Sequence, residues 1–114
     1  MIIEVTVISF LKNALNVPVY VEMPELDKEG PYIVVEKTGS SSRNLISGAS
    51  FVIQAYDDSL YKVIQLINSV KSAMQHITEE TNITNAELNS DYNSTDPETK
   101  KFRYQAYYNI KYME

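Results

Sequence analysis

The segment that most constrains the fold is residues 102–112, in which apolar and polar side chains alternate strictly. Phe102, Tyr104, Ala106, Tyr108, Ile110 and Tyr112 alternate with Arg103, Gln105, Tyr107, Asn109 and Lys111. A period of two is the repeat of a β-strand with one buried face and one solvated face. A similar alternation covers residues 86–92, and Asp96-Pro97 between the two segments is a turn signal. Together they predict an antiparallel hairpin with a loop over Asn93–Lys101.

Charge predicts the register of this hairpin. Residues 79–98 contain six acidic and no basic side chains, whereas residues 100–114 contain four basic and one acidic. Antiparallel pairing then sets unlike charges opposite each other, which is favourable across strands. We therefore expect Asp91 to lie opposite Arg103, with Tyr92 beside Phe102.

Two segments are predicted to be helical. Asp57, Asp58 and Ser59 supply N-cap oxygens, and the residues after them place one apolar stripe at helical spacing: Leu60, Val63, Ile64, Ile67, Val70, Met74 and Ile77. The first fifteen residues permit two interpretations, because their β-branched side chains favour a strand. The recurrence of Ile3, Val7 and Leu11 on one helical face is the better fit, so we expect a helix that ends at Asn16.

Three strands are predicted between these helices. Pro18 directs Val17–Val21 into an extended edge strand, Tyr32–Thr38 follows Pro31 as a second strand, and Phe51–Tyr56 forms a third. The serine-rich segment Gly39–Gly48 is too long for a tight turn, so we expect an extended loop there.

The resulting element order is α-β-β-β-α-β-β. In 114 residues, this order predicts one α+β domain spanning residues 1–114. We expect a mostly antiparallel single sheet of four to five strands, packed against two helices.

Composition disfavours several classes of function. The net charge of −5 opposes nucleic-acid binding by phosphate neutralisation, and no apolar segment or leader indicates a membrane or secreted protein. The chain has no cysteine and one histidine, His76, so thiolate catalysis and Cys/His metal sites are not expected. The three glycines form no phosphate-binding loop, and no serine stands in a nucleophile elbow. We expect no catalytic residue, no metal and no cofactor.

The remaining signals point to an interface. Leu45 and Ile46 are apolar residues in a segment predicted to be a solvated loop, which either docks on a partner or folds back over its own core. Tyr107 stands on the polar register of its strand, either as a subunit contact or as an ordinary sheet-surface aromatic. Our interface hypothesis comprises Arg43, Asn44, Leu45, Ile46 and Tyr107.

Three short motifs, in this order, carry a family resemblance. They are Val17-Pro18-Val19-Tyr20, Pro31-Tyr32-Ile33-Val34-Val35, and Asp96-Pro97-Glu98-Thr99 followed by Arg103-Tyr104. With the element order and size, nearly the whole chain resembles the tail-terminator, or head-to-tail joining, proteins of long-tailed bacteriophages and prophages. The resemblance implies a protein that is not an enzyme. It implies a ring, usually of six subunits, that caps the tail tube, stops its polymerisation and offers a docking surface to the head.

The resemblance also implies partners and a location. The partners are copies of the chain itself, the tail tube protein and the head-completion or connector protein, with a free subunit that is monomeric until the ring closes. The location is the head-proximal end of the tail in the virion, after assembly in the bacterial host cytoplasm. Two alternatives stay open: a head-completion or adaptor protein of the same particle, and an unrelated small ligand-binding or enzymatic α+β domain.

Overall fold

A computed structural model describes residues 2–25, 28–80 and 82–113. The elements in chain order are α1 (Ile3–Leu15), β1 (Val19–Tyr20), β2 (Tyr32–Arg43), β3 (Ile46–Asp57), α2 (Leu60–Met74), a 3-10 turn (Ile77–Glu79), β4 (Ile83–Asn93) and β5 (Phe102–Met113). The predicted α+β class and element order are confirmed. Neither helix in this part of the chain has the length and apolar character that a bilayer crossing requires.

The strands form one mixed sheet in the order β1-β2-β3-β5-β4. The short edge strand β1 runs parallel to β2, and the other neighbours are antiparallel. Both helices pack against one face, here called the helix face; the opposite face is the open face. Ile33 and Val35 of β2 join the helices in the main core, whereas Tyr32 and Val34 join Tyr56 on the open face. The alternation of strand side chains thus divides the sheet into its two faces.

Local signals fix the helix ends. Asn16 adopts a left-handed conformation and its backbone N–H donates to Lys12 O, which ends α1 at the predicted residue. Ser59 is the N-cap of α2, because its Oγ accepts a hydrogen bond from Lys62 N at 3.1 Å. The helix interpretation of the first fifteen residues is confirmed, with Ile3, Val7 and Leu11 buried.

The prediction of an extended loop over Gly39–Gly48 is wrong. β2 continues to Arg43 and β3 begins at Ile46, so the connection is a turn of the two residues Asn44 and Leu45. Glycine and serine have little strand tendency of their own. They are held extended here because residues 46–50 also pair with residues 109–113 of β5.

The predicted β4–β5 register is also wrong, although the loop between these strands lies where expected. Asp91 lies opposite Ala106 rather than Arg103. An irregularity between Leu88 and Ser90 shifts the register and turns Asp91 towards the helix face, where its Oδ2 accepts from Lys71 Nζ at 2.7 Å. A bulge moves all following side chains to the other face, and charge pairing between strands does not reveal it.

Candidate interaction surface

Parts of three strands extend together towards one end of the molecule. This region, here called the arm, consists of Gly39–Arg43 of β2, Ile46–Ser50 of β3 and Asn109–Met113 of β5, with the turn at Asn44 and Leu45. Ile46 pairs with both Arg43 and Met113, so all three strands reach the tip. The molecule measures 45 × 24 × 23 Å. Four of the five predicted interface residues lie together in the arm: Arg43, Asn44, Leu45 and Ile46.

The turn at the tip combines backbone strain with exposed apolar surface. Asn44 and Leu45 have positive φ angles of 51° and 70°, as a two-residue hairpin turn with the twist of its strands requires. Asparagine tolerates this conformation, but leucine at positive φ costs about 1–2 kcal/mol. The Leu45 side chain is nevertheless 87% exposed, beside the exposed side chains of Ile46 and Met113. Neither feature stabilises the monomer, and both are typical of a contact with a partner.

The arm is basic although the protein as a whole is acidic. Arg43 and Lys111 are its charged side chains, and residues 38–50 and 109–113 contain no acid, in a chain of net charge −5. Within the part of the chain that the structure describes, neither cation has an ion-pair partner. The tip therefore presents apolar side chains flanked by positive charge.

A shallow groove of about 530 Å³ crosses the arm. Its lining is mostly small and polar: Gly39, Ser40, Ser41, Gly48, Ala49, Ser50, Asn85, Glu87, Asn109, Ile110 and Lys111. A Cβ atom on Gly48 would stand 2.8 Å from Ser41 Oγ, so a side chain there would push against the floor of the groove. The groove offers hydrogen bonds from hydroxyl and amide groups, and its lining contains no histidine.

Tyr107 lies apart from the tip. It projects from β5 on the open face and is six residues before Met113, which is about 20 Å along a strand. Its ring stacks on Tyr92 with centroids 5.9 Å apart, and the two hydroxyl oxygens are 3.0 Å apart. Gln105 Nε2 donates to both hydroxyls at 3.2 Å. The hydrogen bond to Tyr107 is the main cause that raises the pKa of Tyr92 above its ordinary value. Tyr107 thus has partners within the chain, and its role as a subunit contact stays a prediction.

An aromatic cluster occupies the other end of the open face. The rings of Tyr32 and Tyr56 stack at 4.7 Å, and burial raises the pKa of Tyr32. Lys101 Nζ donates to Tyr32 Oη at 3.2 Å and lies 5.8 Å from both ring centroids. Arg103 donates to Tyr56 Oη at 3.4 Å. Lys101 and Arg103 both lie where the β4–β5 loop enters β5, so their contacts with the rings anchor that end of the loop to the sheet.

Sequence reasoning missed two contributors to the arm. Lys111 and Met113 lie at the end of β5. The alternation of side chains predicts this strand, but it does not show that the end of the strand pairs with Ile46 and Gly48 of β3. Within residues 2–25, 28–80 and 82–113, side chains able to bind a metal do not gather in groups of three or more.

No protein-family model matches the chain. No curated protein matches it either. A chain of a solved structure, the virion of a native gene transfer agent particle, is similar at 13% identity and a TM-score of 0.49, over 95% of this chain and 84% of that chain. A likeness at this level does not assign a function, so the proposal below depends on the residues themselves.

Proposed function

We propose that this protein is a structural component of a phage-like particle, without catalytic activity, and that its role is that of a tail terminator. In this role, copies of the chain form a ring on the last ring of the tail tube, stop its growth and receive the head. The single observation that carries the proposal is the arm tip, where exposed Leu45 stands on strained backbone beside exposed Ile46. These are among the residues for which the family resemblance implies contact with a neighbouring subunit or the tube.

The physical character of the chain supports this role. A ring component needs surfaces that join it to copies of itself, and contacts between unlike surfaces generate closed rings when the rotation closes. Its net charge of −5 also suits a protein beside a DNA channel, because a subunit of this charge does not hold passing DNA by attraction to phosphate.

Electron microscopy of tails assembled with and without the protein tests the proposal. We expect tails of uniform length with the protein and overlong tails without it. Tails of normal length that fail to join heads would contradict the terminator role and favour the head-completion alternative. Tails that are normal and joined to heads without the protein would contradict both.

The substitution Leu45→Gly tests the arm itself. Glycine adopts positive φ without strain, so the monomer should keep its fold while the apolar contact is lost. We expect far-UV circular dichroism of the wild-type kind together with overlong tails. The matched control is Val21→Ser, which removes another exposed apolar side chain outside the arm and should leave tail length unchanged. Normal capping by Leu45→Gly would show that the tip is not the capping surface.

A further inference from the structure

The outer edge of β2 is unpaired along the arm. The short strand β1 pairs with β2 at Ile33 and Val34, well before the arm begins, and the sheet ends with β1 on this side. No strand of the described chain therefore lies beside the outward-facing main-chain groups of residues 38–43. Such a row of N–H and C=O groups is a template for pairing with another extended chain.

The tip turn determines which of these groups face outward. In a hairpin with a two-residue loop, the residues that flank the loop exchange main-chain hydrogen bonds, and here these are Arg43 and Ile46. Bonded and outward-facing residues alternate along an edge strand. Ser41 therefore bonds to β3 like Arg43. The N–H and C=O groups of Ser40 and Ser42 face outward.

The two edges of the sheet differ in their protection. The opposite edge strand, β4, has register shifts after Ile83 and after Leu88, and bulges of this kind turn an edge away from a partner. In β2 the shift lies between Lys37 and Gly39, so the residues beyond it pair regularly up to the tip. They are glycine and serine as far as Arg43, with no proline and no acid. The edge of the arm is thus open to a straight strand.

We propose that the arms of two copies pair edge to edge, as antiparallel strands around a two-fold axis at Ser41. Ser41 then lies opposite itself, and Ser40 exchanges main-chain hydrogen bonds with Ser42 of the partner copy. The edge is complementary to itself in this register, because each such pair brings two donors and two acceptors together. The two five-stranded sheets become continuous, and the contact closes at two copies.

Two charged side chains lie on the open face beside this edge. Glu36 follows Val34 of the open-face cluster by two residues, so the alternation of the strand places it on the same face. Arg43 lies opposite Ile46, which is ten residues before Tyr56 of that cluster on a regular strand. Both side chains are exposed, and neither has an ion-pair partner within the described residues.

These charges favour a second copy as the occupant of the edge. In the proposed register Arg43 lies opposite Gly39 of the partner copy. Glu36 of that copy is the next residue on the open face, about 7 Å further along, since Glu36 and Gly39 lie opposite Val52 and Ser50. A Cβ atom on Gly39 would meet nothing within 4 Å, so the Arg43 side chain can cross this position and reach the carboxylate. The two-fold axis produces this ion pair twice.

The contact belongs to the free chain and goes beyond the proposed function. The family resemblance implies a free subunit that is monomeric, whereas paired arms predict a dimer. Sedimentation equilibrium of the wild-type chain measures the difference, and we expect a species of twice 13.0 kDa that dissociates on dilution. The mass of one chain up to about 1 mM would overturn the inference. A series of larger species would overturn it as well, because a two-fold contact closes at two copies.

Single cysteines test the register, because the natural chain contains none. A disulfide requires Cα atoms within about 7 Å. Ser41→Cys stands about 5 Å from its copy across the axis, so mild oxidation should convert it to a covalent dimer. Ser40→Cys and Ser42→Cys are the matched controls, since each stands about 9 Å from its copy and should cross-link about tenfold more slowly. Equal cross-linking of all three variants would overturn the register.

A charge exchange tests the orientation independently. Arg43→Glu and Glu36→Arg should each weaken the dimer about tenfold in sedimentation equilibrium, since each sets like charges beside each other. Arg43→Glu/Glu36→Arg should restore it. The matched control is Lys62→Glu, which makes the same charge change at an exposed site of α2 and should leave the dimer unchanged. Failure of the double exchange to restore the dimer would overturn the proposed pairing. None of these measurements uses tails, so their results are distinct from the test of the terminator role.

Discussion

The β2–β3 hairpin turns over the two residues Asn44 and Leu45, whereas the β4–β5 hairpin turns over residues 94–101. The longer loop satisfies its polar groups internally. Asp96 Oδ1 accepts from Glu98 N at 2.8 Å, and Arg103 Nε donates to Ser94 O at 3.1 Å. The short turn has the opposite character, with a strained leucine that points into solvent.

This difference shows that loop length is a poor guide to an interaction surface. The long loop is polar and tied to the tyrosine cluster by Lys101, so it is part of the monomer's own structure. The short turn leaves apolar area that gains stabilisation only when another molecule covers it. The four predictions below test this contrast, in order of decreasing effect.

A substitution of isoleucine by alanine should affect the free energy of unfolding differently at the two ends of the β2–β3 hairpin. Ile53 is fully buried under the helices, so Ile53→Ala should lower the free energy of unfolding by about 3 kcal/mol. Ile46 at the tip is exposed, so Ile46→Ala should change it by less than about 0.5 kcal/mol. Urea unfolding measures both variants. Equal losses would mean that the tip is as important to the monomer fold as the core.

Alkaline pH should destabilise the protein through the β4–β5 hairpin. Burial, and then the nearby charge of Asp91, raises the pKa of Tyr108 from 10.0 to about 12. The folded state then holds this proton more tightly than the unfolded state, so the stabilisation is complete below pH 10 and is lost as pH rises towards 12. Between pH 9 and 12 the wild type should lose about 2 kcal/mol more than Tyr108→Phe.

Thermal unfolding over this pH range measures the difference between Tyr108→Phe and the wild type. Tyr61→Phe, at an exposed tyrosine of α2, is the control and should follow the wild type. Identical alkaline profiles for Tyr108→Phe and the wild type would contradict the assignment to Tyr108.

Leu45→Gly should slightly stabilise the monomer. Relief of the left-handed leucine gains about 1–2 kcal/mol, and the greater freedom of glycine in the unfolded chain costs about 0.5–1 kcal/mol. The net expectation is a gain of about 0.5 kcal/mol in urea unfolding. Asn44→Gly, where the natural residue already tolerates positive φ, should show no gain. A clear loss of stability in Leu45→Gly would mean that its side chain supports the monomer.

The smallest expected effect is the change in unfolding temperature caused by a substitution at Asp96 in the β4–β5 loop. The backbone N–H of Glu98 is the main cause that lowers the pKa of Asp96 below 3.8. A carboxyl with a lowered pKa stabilises the fold above its ordinary pKa, and this contribution is lost as pH falls through the lowered value. Asp96→Asn should therefore unfold at a slightly lower temperature than the wild type at pH 7, and the difference should shrink as the pH falls below the ordinary pKa of 3.8. A difference that persists at acid pH would show that the carboxylate charge is not its cause.

Periodic patterns predicted the two helices and the alternation of β5, and they did so because burial of one face imposes a period that adjacent residues reveal. The extent of the arm was not predictable in the same way. Residues 39–43 lack a strand signal and are extended only because β3 pairs with them on one side and with β5 on the other.

The candidate surface was predicted in part. The sequence indicates that Leu45 and Ile46 are apolar residues in a solvent-exposed connection. This holds whether the connection is a loop or a tight turn, since both expose their side chains. The contribution of Met113 and the separation of Tyr107 from the tip depend on the register of β5, which residue types alone do not specify.

By itself the sequence determined the two helices and the strand segments that carry an apolar or alternating pattern, because hydrophobic periodicity acts between near neighbours. Only the tertiary structure decided the reach of the arm, the face occupied by Asp91 and the exposure of Leu45. These depend on backbone pairing between distant segments, such as Ile46 with Met113, and on a bulge in β4. Every residue except proline offers both a main-chain donor and a main-chain acceptor, so side-chain identity cannot specify these hydrogen bonds alone.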